Sequence, residues 1–297
     1  MLFIKLLSDI SVLLFPIASM LAVGLSFSFN QIAKPLQYPD RVFRALIANF
    51  ILVPLLALGI SRLLALDSPL AAGVYLVGAA AGAPFLLKLT QVANADVSLS
   101  ASLLVLLMPL TVIFMPMIVP LMITDASVNA ISIAVPLILT LLLPLTIGHT
   151  LDSIMPQVAA RLLPVASKTS SISLLILVAT TVAINVSLFR NLLGTGAIVA
   201  AILLTAGGFS MGYLISSQGF NRRTVMGLGS GQRNIAAALV VASQDFDDPK
   251  TLVMVVLFSV IDLMVLFPIA LILRRQSSQK SKNNVVPPNE PFSRGDT

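Results

Sequence analysis

Nine stretches of predominantly apolar residues, each about 20 residues long, follow one another through this sequence. A stretch of that length can cross the hydrocarbon core of a bilayer as an α-helix. The stretches are continuously apolar and do not alternate with polar residues, which favours helices over a transmembrane barrel. The predicted spans are approximately 8–29, 43–65, 69–93, 97–123, 127–149, 167–189, 195–217, 222–243 and 249–273. The sequence therefore predicts an all-α polytopic membrane protein.

The composition agrees with a membrane protein and removes several classes of active site. Of the 297 residues, 57% are hydrophobic and 10% are charged, whereas soluble domains carry about 25% charged residues. Cysteine is absent, and histidine and glutamate occur once each, as His149 and Glu290. The sequence therefore has too few of these residues for a multi-ligand metal site, a cysteine nucleophile or a histidine-based triad. We expect no cofactor, no enzyme activity and no nucleic-acid partner.

Basic residues are distributed unevenly between the two sets of predicted loops. If the C-terminus is cytoplasmic, nine spans place the N-terminus outside. The inner segments then hold Lys34, Arg41, Arg44, Arg161, Lys168, Arg222, Arg223, Arg274, Arg275, Lys280, Lys282 and Arg294, and the outer segments hold only Lys5, Arg62, Arg190 and Lys250. The positive-inside rule supports this orientation. We expect residues 1–274 to form one transmembrane domain and residues 275–297 a disordered cytoplasmic tail. No targeting segment is evident, which favours a bacterial inner membrane.

Two of the predicted spans contain helix-breaking residues followed by polar ones. The third span is interrupted near 82–84, and the eighth carries three glycines and then polar residues at 229–234. Proline and clustered glycines weaken a helix, and polar groups at mid-depth are costly unless they face a cavity. Corresponding breaks in two halves of a chain indicate the substrate site of an inverted-repeat transporter. The candidate substrate-binding residues are Gly82, Pro84, Lys88, Thr90, Gln232, Arg233 and Asn234.

Three of the ionisable residues in the predicted spans also have plainer explanations. Arg233 could pair with a group inside the protein, and Lys88 could extend its ammonium group to the inner interface. Asp262, in the last span, could neutralise one of these cations or carry a coupling proton. Asp96 precedes the fourth span and is expected to cap that helix.

Short motifs in a fixed order resemble the bile acid:sodium symporter family, from about residue 10 to residue 273. The motifs are Gly24-Leu25, Asn49-Phe50 with Pro54, residues 95–100, Leu143-Pro144-Leu145 with Gly148, residues 229–239, and Phe258-Ser259-Val260. The resemblance implies two inverted repeats, a panel and a core domain, and two broken helices that cross in the core. By this resemblance we expect the first helix of the first repeat to be missing, which would leave repeats of four and five helices.

The same resemblance indicates that most sodium ligands of the family are replaced. The family's Ser-Asn pair at the first break aligns with Leu86-Leu87, next to Lys88. Its glutamate aligns with Gly229 and its glutamine with Arg233. The family asparagine that lies beside substrate is kept as Asn234. The candidate ion-binding or coupling residues that remain are Asn49, Ser100, Ser230 and Asp262.

The hypothesis from these observations is that fixed cations perform the electrostatic role of sodium. An arginine and a lysine in the ion-site region would repel sodium and attract an organic anion. We therefore expect a secondary transporter that moves a small organic anion across the bilayer by alternating access. A sodium-coupled symporter with altered ligands and a non-transporting ligand sensor are the alternatives. Sodium or a proton could be the coupling ion, and the sequence leaves the substrate and the oligomeric state open.

Overall fold

A computed structural model describes residues 2–26, 38–123, 130–192 and 194–283, and all regular structure in this part of the chain is helical. In chain order the helices are α1 (Leu2–Gly24), α2 (Pro39–Leu63), α3 (Ser68–Ala79), α4 (Leu86–Val92), α5 (Val97–Met122), α6 (Ala130–Ile154), α7 (Pro156–Ile184), α8 (Val186–Asn191), α9 (Ala197–Ile215), α10 (Phe220–Gly231), α11 (Ile235–Gln244) and α12 (Pro249–Asn283). Two of them, α2 and α6, contain a π-helical turn, at Ala48–Leu52 and Ile138–Leu142 respectively.

Seven of the described helices are long and apolar enough to cross a membrane, namely α1, α2, α5, α6, α7, α9 and α12. The two other predicted spans, 69–93 and 222–243, are each divided into a pair of shorter helices. These pairs are α3 with α4 and α10 with α11. The all-helical prediction is confirmed for the described residues, and the count of nine crossing segments stays a prediction.

Several predicted boundaries differ from the observed ones. Helix α7 begins at Pro156 and not near residue 167, because proline fits the first turn of a helix, where no backbone donor is needed. Helix α12 continues to Asn283, so residues 275–283 are helical where the sequence predicted the start of a disordered tail. The rest of the tail, residues 284–297, lies outside the described residues, as do Lys34 and the ends of two predicted spans, 27–29 and 127–129.

The helices can be divided into two groups, which also contact each other through α5 with α6 and through α11 with α1. Helices α1, α6 and α7 contact one another closely, and α2, α3, α4, α5, α9, α10, α11 and α12 form the second group, which contains both interruptions. In the first group the backbones of α1 and α6 touch, because a Cβ atom added at Gly148 would lie 2.6 Å from the carbonyl oxygen of Leu21. Gly24 on α1 faces the same contact and would meet the backbone of Leu145. The motif Gly24-Leu25 and the motif that ends at Gly148 therefore form one close contact between α1 and α6.

Contacts between helix ends define the two ends of the bundle. At one end, Arg44 donates to the carbonyl oxygen of Ile215 at 3.0 Å. At the other end, the Lys250 ammonium group pairs with the Asp67 carboxylate at 2.7 Å. In each of these two contacts, the predicted spans place both partners on the same side of the membrane.

Asp96 caps α5 by accepting from the Leu99 N–H at 3.0 Å, which confirms its predicted role.

Candidate functional site

The two helix interruptions lie against each other inside the second helix group. The backbone N–H of Asn234 donates to the carbonyl oxygen of Ala80 at 2.9 Å. The Asn234 amide nitrogen donates to the carbonyl oxygen of Gly82 at 3.1 Å. Helix α3 contacts α11, and α4 contacts α10, so each half of one interrupted pair meets the opposite half of the other. We call the region where residues 80–85 meet residues 232–234 the crossing.

The first interruption is stabilised by a close approach to α5. Gly82 has a φ of +76°, and a Cβ atom added there would lie 2.7 Å from the backbone nitrogen of Met108. Thr111 on α5 accepts from the Ala81 N–H at 3.0 Å, and its hydroxyl is 2.9 Å from the Ala81 carbonyl oxygen. A backbone that has left the helix thus keeps its hydrogen bonds in a region without water.

Arg233 occupies the centre of the crossing, and only 1% of its surface is exposed. Its Nε donates to the carbonyl oxygen of Val77 at 3.1 Å. One terminal nitrogen donates to Asn49 Oδ1 at 2.9 Å and to the Ser230 carbonyl oxygen at 3.4 Å. The other donates to the carbonyl oxygens of Gly78 at 2.6 Å and Asn49 at 3.4 Å. All five N–H donors of the guanidinium group therefore have oxygen acceptors inside the protein.

The π-helical turn of α2 explains why a backbone carbonyl of Asn49 is available. Within this turn the Val53 N–H bonds to the Ala48 carbonyl oxygen, five residues earlier. The next residue, Pro54, has no N–H, so the carbonyl group of Asn49 has no helical donor in this register. Arg233 supplies that donor. The proline in the Asn49-Phe50…Pro54 motif therefore contributes directly to the site.

The Asn49 side chain connects α2 with α10. It is fully buried, and its amide nitrogen donates to the carbonyl oxygen of Ala45 at 3.0 Å and to the Ser230 hydroxyl at 3.1 Å. The structure therefore brings Asn49, Ser230 and Arg233 into one hydrogen-bonded cluster.

Two features offset the cost of burying the Arg233 charge. Its acceptors Val77 and Gly78 belong to the last turn of α3, where the partial negative charge of the helix dipole lies. The fully buried carboxylate of Asp262 on α12 also attracts it electrostatically. The two side chains form no ion pair among the described residues, and Asp262 Oδ1 accepts instead from the hydroxyl of Thr205 on α9.

The other predicted site residues divide into two sets. Asn234 holds the crossing together and caps α11 by accepting from the Ala237 N–H at 3.2 Å. Gln232 is 5% exposed, and its Oε1 has no hydrogen-bond partner among the described residues. Gly82 and Gln232 are thus part of the crossing, with Pro84 half-buried at its edge.

The remaining candidates contribute no contact to Arg233. Lys88 is exposed on α4 and forms no ion pair within the described part of the chain. The hydroxyl groups of Thr90 and Ser100 are buried and donate to carbonyl oxygens of their own helices, Leu86 and Val97. Lys88 is thus exposed whereas Arg233 is buried, and the role of Lys88 as a second fixed cation in the ion-site region stays a prediction.

Sequence reasoning missed Thr111 and Thr205. Thr111 is an isolated hydroxyl within the apolar sequence of α5, and such a residue in a membrane helix is a signal for an interhelical bond. Thr205 lies among small and apolar residues of α9, and nothing in that segment indicates that it faces Asp262.

Oxygen atoms are the donor set that a sodium ion prefers, and the crossing is rich in them. Here, five such acceptor positions are bonded by the Arg233 guanidinium group. No group of three or more histidine, cysteine or acidic residues suitable for a metal ion occurs in the described ranges. The arrangement therefore presents a fixed cation at the crossing of two broken helices.

Comparison with known proteins agrees with this architecture. Residues 12–192, more than half of the chain, match the sodium bile acid symporter family. The chain is similar to the "Probable sodium/metabolite cotransporter BASS1, chloroplastic" of Arabidopsis thaliana, with 26% identity over 240 residues, which are 79% of this chain and 59% of the relative. It is also similar to the "Probable sodium/metabolite cotransporter BASS2, chloroplastic" of Oryza sativa subsp. japonica, with 23% identity over 234 residues, 77% of this chain and 56% of the relative.

The chain spans little more than half the length of these curated relatives. The matched family segment contains Asn49 and the first interruption, and it ends before the second interruption and Arg233. This family match confirms the resemblance to the bile acid:sodium symporter family that the motifs and the apolar helices of the chain indicated. The chain belongs to the sodium bile acid symporter family.

Proposed function

We propose that this chain is a secondary transporter for a small organic anion in which the Arg233 side chain replaces a bound sodium ion. The observation that carries the proposal is the complete set of oxygen acceptors around the buried guanidinium group. A sodium-coupled relative must bind its cation in each transport cycle, whereas here the cation is covalently attached. Its charge lowers the cost of bringing an anion to the crossing.

The substrate site in this proposal lies at the crossing beside Arg233. Since all donors of Arg233 have protein acceptors, the arginine acts on the substrate through its charge. Direct hydrogen bonds would come from the Gln232 amide, whose nitrogen can donate to a carboxylate, while its Oε1, which has no partner among the described residues, can accept from a hydroxyl group of the substrate. The N-terminus of α11 points its partial positive charge at the same region. A carboxylate-bearing substrate suits this combination.

The proposed transport cycle moves the helix group that contains the crossing against α1, α6 and α7. The grouping of the helices supports this division into a core and a panel. The proposal also includes nine membrane-crossing segments arranged as two inverted repeats. The N-terminus lies outside and the C-terminus in the cytoplasm, and the membrane is a bacterial inner membrane. The basic loops at the end of the bundle marked by Arg44 support the inner assignment of that end.

Sodium coupling through altered ligands is the second candidate function. The relatives are named sodium/metabolite cotransporters, and buried oxygens of Asn49, Ser100 and Ser230 remain in this chain. A ligand sensor on the same fold is the third candidate, because loss of the usual ion ligands would also fit a protein that binds without transporting.

Uptake into proteoliposomes separates these candidates. The purified protein is reconstituted, and uptake of radiolabelled pyruvate, succinate and taurocholate is measured with a sodium gradient and with choline in place of sodium. We expect at least one acid to be transported equally well in sodium and choline. Transport that requires sodium and is abolished in Asn49→Ala or Ser100→Ala would support the symporter instead. Binding of an acid without uptake would support the sensor.

Replacing Arg233 tests the role of the fixed cation. Arg233→Gln restores the family residue and removes the charge, so transport in choline should fall at least tenfold. Recovery of uptake by added sodium would strengthen the proposal, because a free cation would then replace the tethered one. The matched control is Arg62→Gln, which removes an exposed cation of α2 that lies outside the crossing. Unchanged uptake in Arg233→Gln with choline would contradict the proposal.

A further inference from the structure

Asp262 is a buried carboxyl group whose hydrogen bonds are incomplete. It lies in the middle of α12 and has no exposed surface. Oδ1 accepts from the Thr205 hydroxyl, Oδ2 has no hydrogen-bond partner among the described residues, and the backbone N–H of Arg233 also faces the carboxyl group. An ionised carboxylate normally accepts several hydrogen bonds, and a buried one without them is costly. A neutral carboxylic acid needs fewer hydrogen bonds than a carboxylate, because it carries no charge that must be stabilised.

The charged groups on the helices around α12 identify a single partner for Asp262. These helices carry Lys88 on α4, Arg161 and Lys168 on α7, Arg190 on α8, and Arg222 and Arg223 on α10. The groups that act most directly on the Asp262 carboxyl group are Thr205 and Arg233. Tyr75 on α3 and Tyr213 on α9 are the other titratable side chains of the packed helices. Asp262 and Arg233 are therefore two buried groups of opposite charge that interact electrostatically without a direct ion pair among the described residues.

Resting on the proposed function, we propose that Asp262 is the proton-binding residue that couples anion transport to the proton gradient. Arginine stays protonated in proteins, so Arg233 contributes a constant positive charge. When Asp262 is ionised the two residues are neutral together, and when a proton binds at its carboxylate their sum is one positive charge. An anion is attracted to the second state and much less to the first.

Proton and anion binding are then linked in both directions. Each ligand must raise the affinity for the other by the same factor, which for coupled sites is typically about 5- to 150-fold. A protein loaded with both is electrically balanced at the crossing, as is a protein loaded with neither. The proton leaves Asp262 for water on the side where the anion dissociates. This cycle moves one proton with one negative charge and needs no sodium.

Infrared spectroscopy of the protein in lipid nanodiscs tests the protonation directly and needs no substrate. The carbonyl band of a neutral carboxylic acid is distinct from the bands of carboxylates. Exposed aspartates are ionised from about pH 5 to about pH 9, so a neutral-acid band that titrates in this range reports a buried group. We expect such a band in the wild type, its absence in Asp262→Asn, and a displaced band in Asp262→Glu. No band that depends on residue 262 would overturn the proposal and leave Asp262 as a permanent structural partner of Arg233.

A transport measurement tests the coupling. Proteoliposomes are given an inward proton gradient, and accumulation of pyruvate, succinate and taurocholate is compared with protein-free liposomes. We expect the wild type to accumulate an acid against its gradient, and Asp262→Asn to exchange the same acid with at least tenfold less accumulation. Equal accumulation by the two proteins would overturn the proton role, while the exchange activity would still support the proposed transporter. If none of the acids is exchanged, the proposed function fails, and the infrared result still decides whether Asp262 binds a proton.

Discussion

Arg233 gives the site a fixed positive charge that an amide side chain at the same position would lack. A glutamine at this position would supply one oxygen and one amide group, whereas the arginine supplies five donors and a charge. The structure gives each donor an acceptor, so the charge is held in place and does not require water. The cost of burial is offset by the end of α3, by Asn49 and by Asp262.

Asn49 is the residue through which α2 takes part in this cluster, and its replacement should destabilise the fold. Asn49→Leu keeps the volume but removes the Oδ1 acceptor of Arg233 and the donor to Ser230. Because buried groups are left unsatisfied, we expect the free energy of unfolding to fall by about 2–3 kcal/mol. The matched control is Thr90→Val, which loses a bond within its own helix and should cost about 1 kcal/mol at most. Thermal unfolding in detergent measures both; equal effects would contradict the cluster's role.

At the scale of helices, irregular turns position the site. The π-helical turn of α2 frees the Asn49 carbonyl, and the interruptions of α3–α4 and α10–α11 free the backbone that the crossing uses. Backbone groups that leave the helix find hydrogen-bond partners on neighbouring helices, as the Ala81 N–H does at the Thr111 hydroxyl. Close contacts between regular helices, as at Gly148, hold the surrounding framework.

The contact between α1 and α6 predicts opposite effects for two glycine substitutions. Gly148→Ala places a methyl group 2.6 Å from the Leu21 carbonyl oxygen, so the two helices must separate and the unfolding temperature should fall. Gly59→Ala on α2 meets nothing within 4 Å and should be neutral or slightly stabilising, because alanine favours a helix by up to about 1 kcal/mol. Thermal unfolding of the two variants compares them. A similar temperature for both would show that the backbones are not in contact.

For the whole molecule, contacts between helix ends distinguish the two ends of the bundle. The end that contains Arg44 and the end that contains the Lys250–Asp67 pair are opposite in the predicted order of spans. The excess of arginine and lysine at the first end favours the cytoplasm. This orientation can be tested on the cysteine-free natural chain.

Single cysteines should report the two ends in a membrane-impermeant maleimide assay. Asp247→Cys, in the exposed turn between α11 and α12, is expected to react in intact cells. Gln218→Cys, in the exposed turn between α9 and α10, is expected to react only after the membrane is opened. The parent protein is the background control because it has no cysteine. The reverse pattern, or labelling of both positions in intact cells, would contradict the proposed topology.

The sequence by itself determined the class of the molecule and the positions of its irregular segments. Long apolar runs admit only helices in a bilayer, and glycines, prolines and polar residues within such runs predicted interruptions near 82–84 and 229–234. The structure interrupts the helices at residues 80–85 and 232–234, while residues 229–231 stay helical. Such runs and residues are local properties of the chain, so they can be read without knowing what lies nearby. The capping role of Asp96 is local in the same way.

The tertiary structure alone decided which polar groups meet. Lys88 and Arg233 follow the two interruptions in the same manner, yet only Arg233 is buried among acceptors, while Lys88 is exposed. Thr205 and Asp262 are 57 residues apart, and Asn49 and Arg233 are 184 apart. Which side chain satisfies a buried charge depends on how helices distant in sequence pack, and that is why the hydrogen-bonded cluster could not be read from the order of residues.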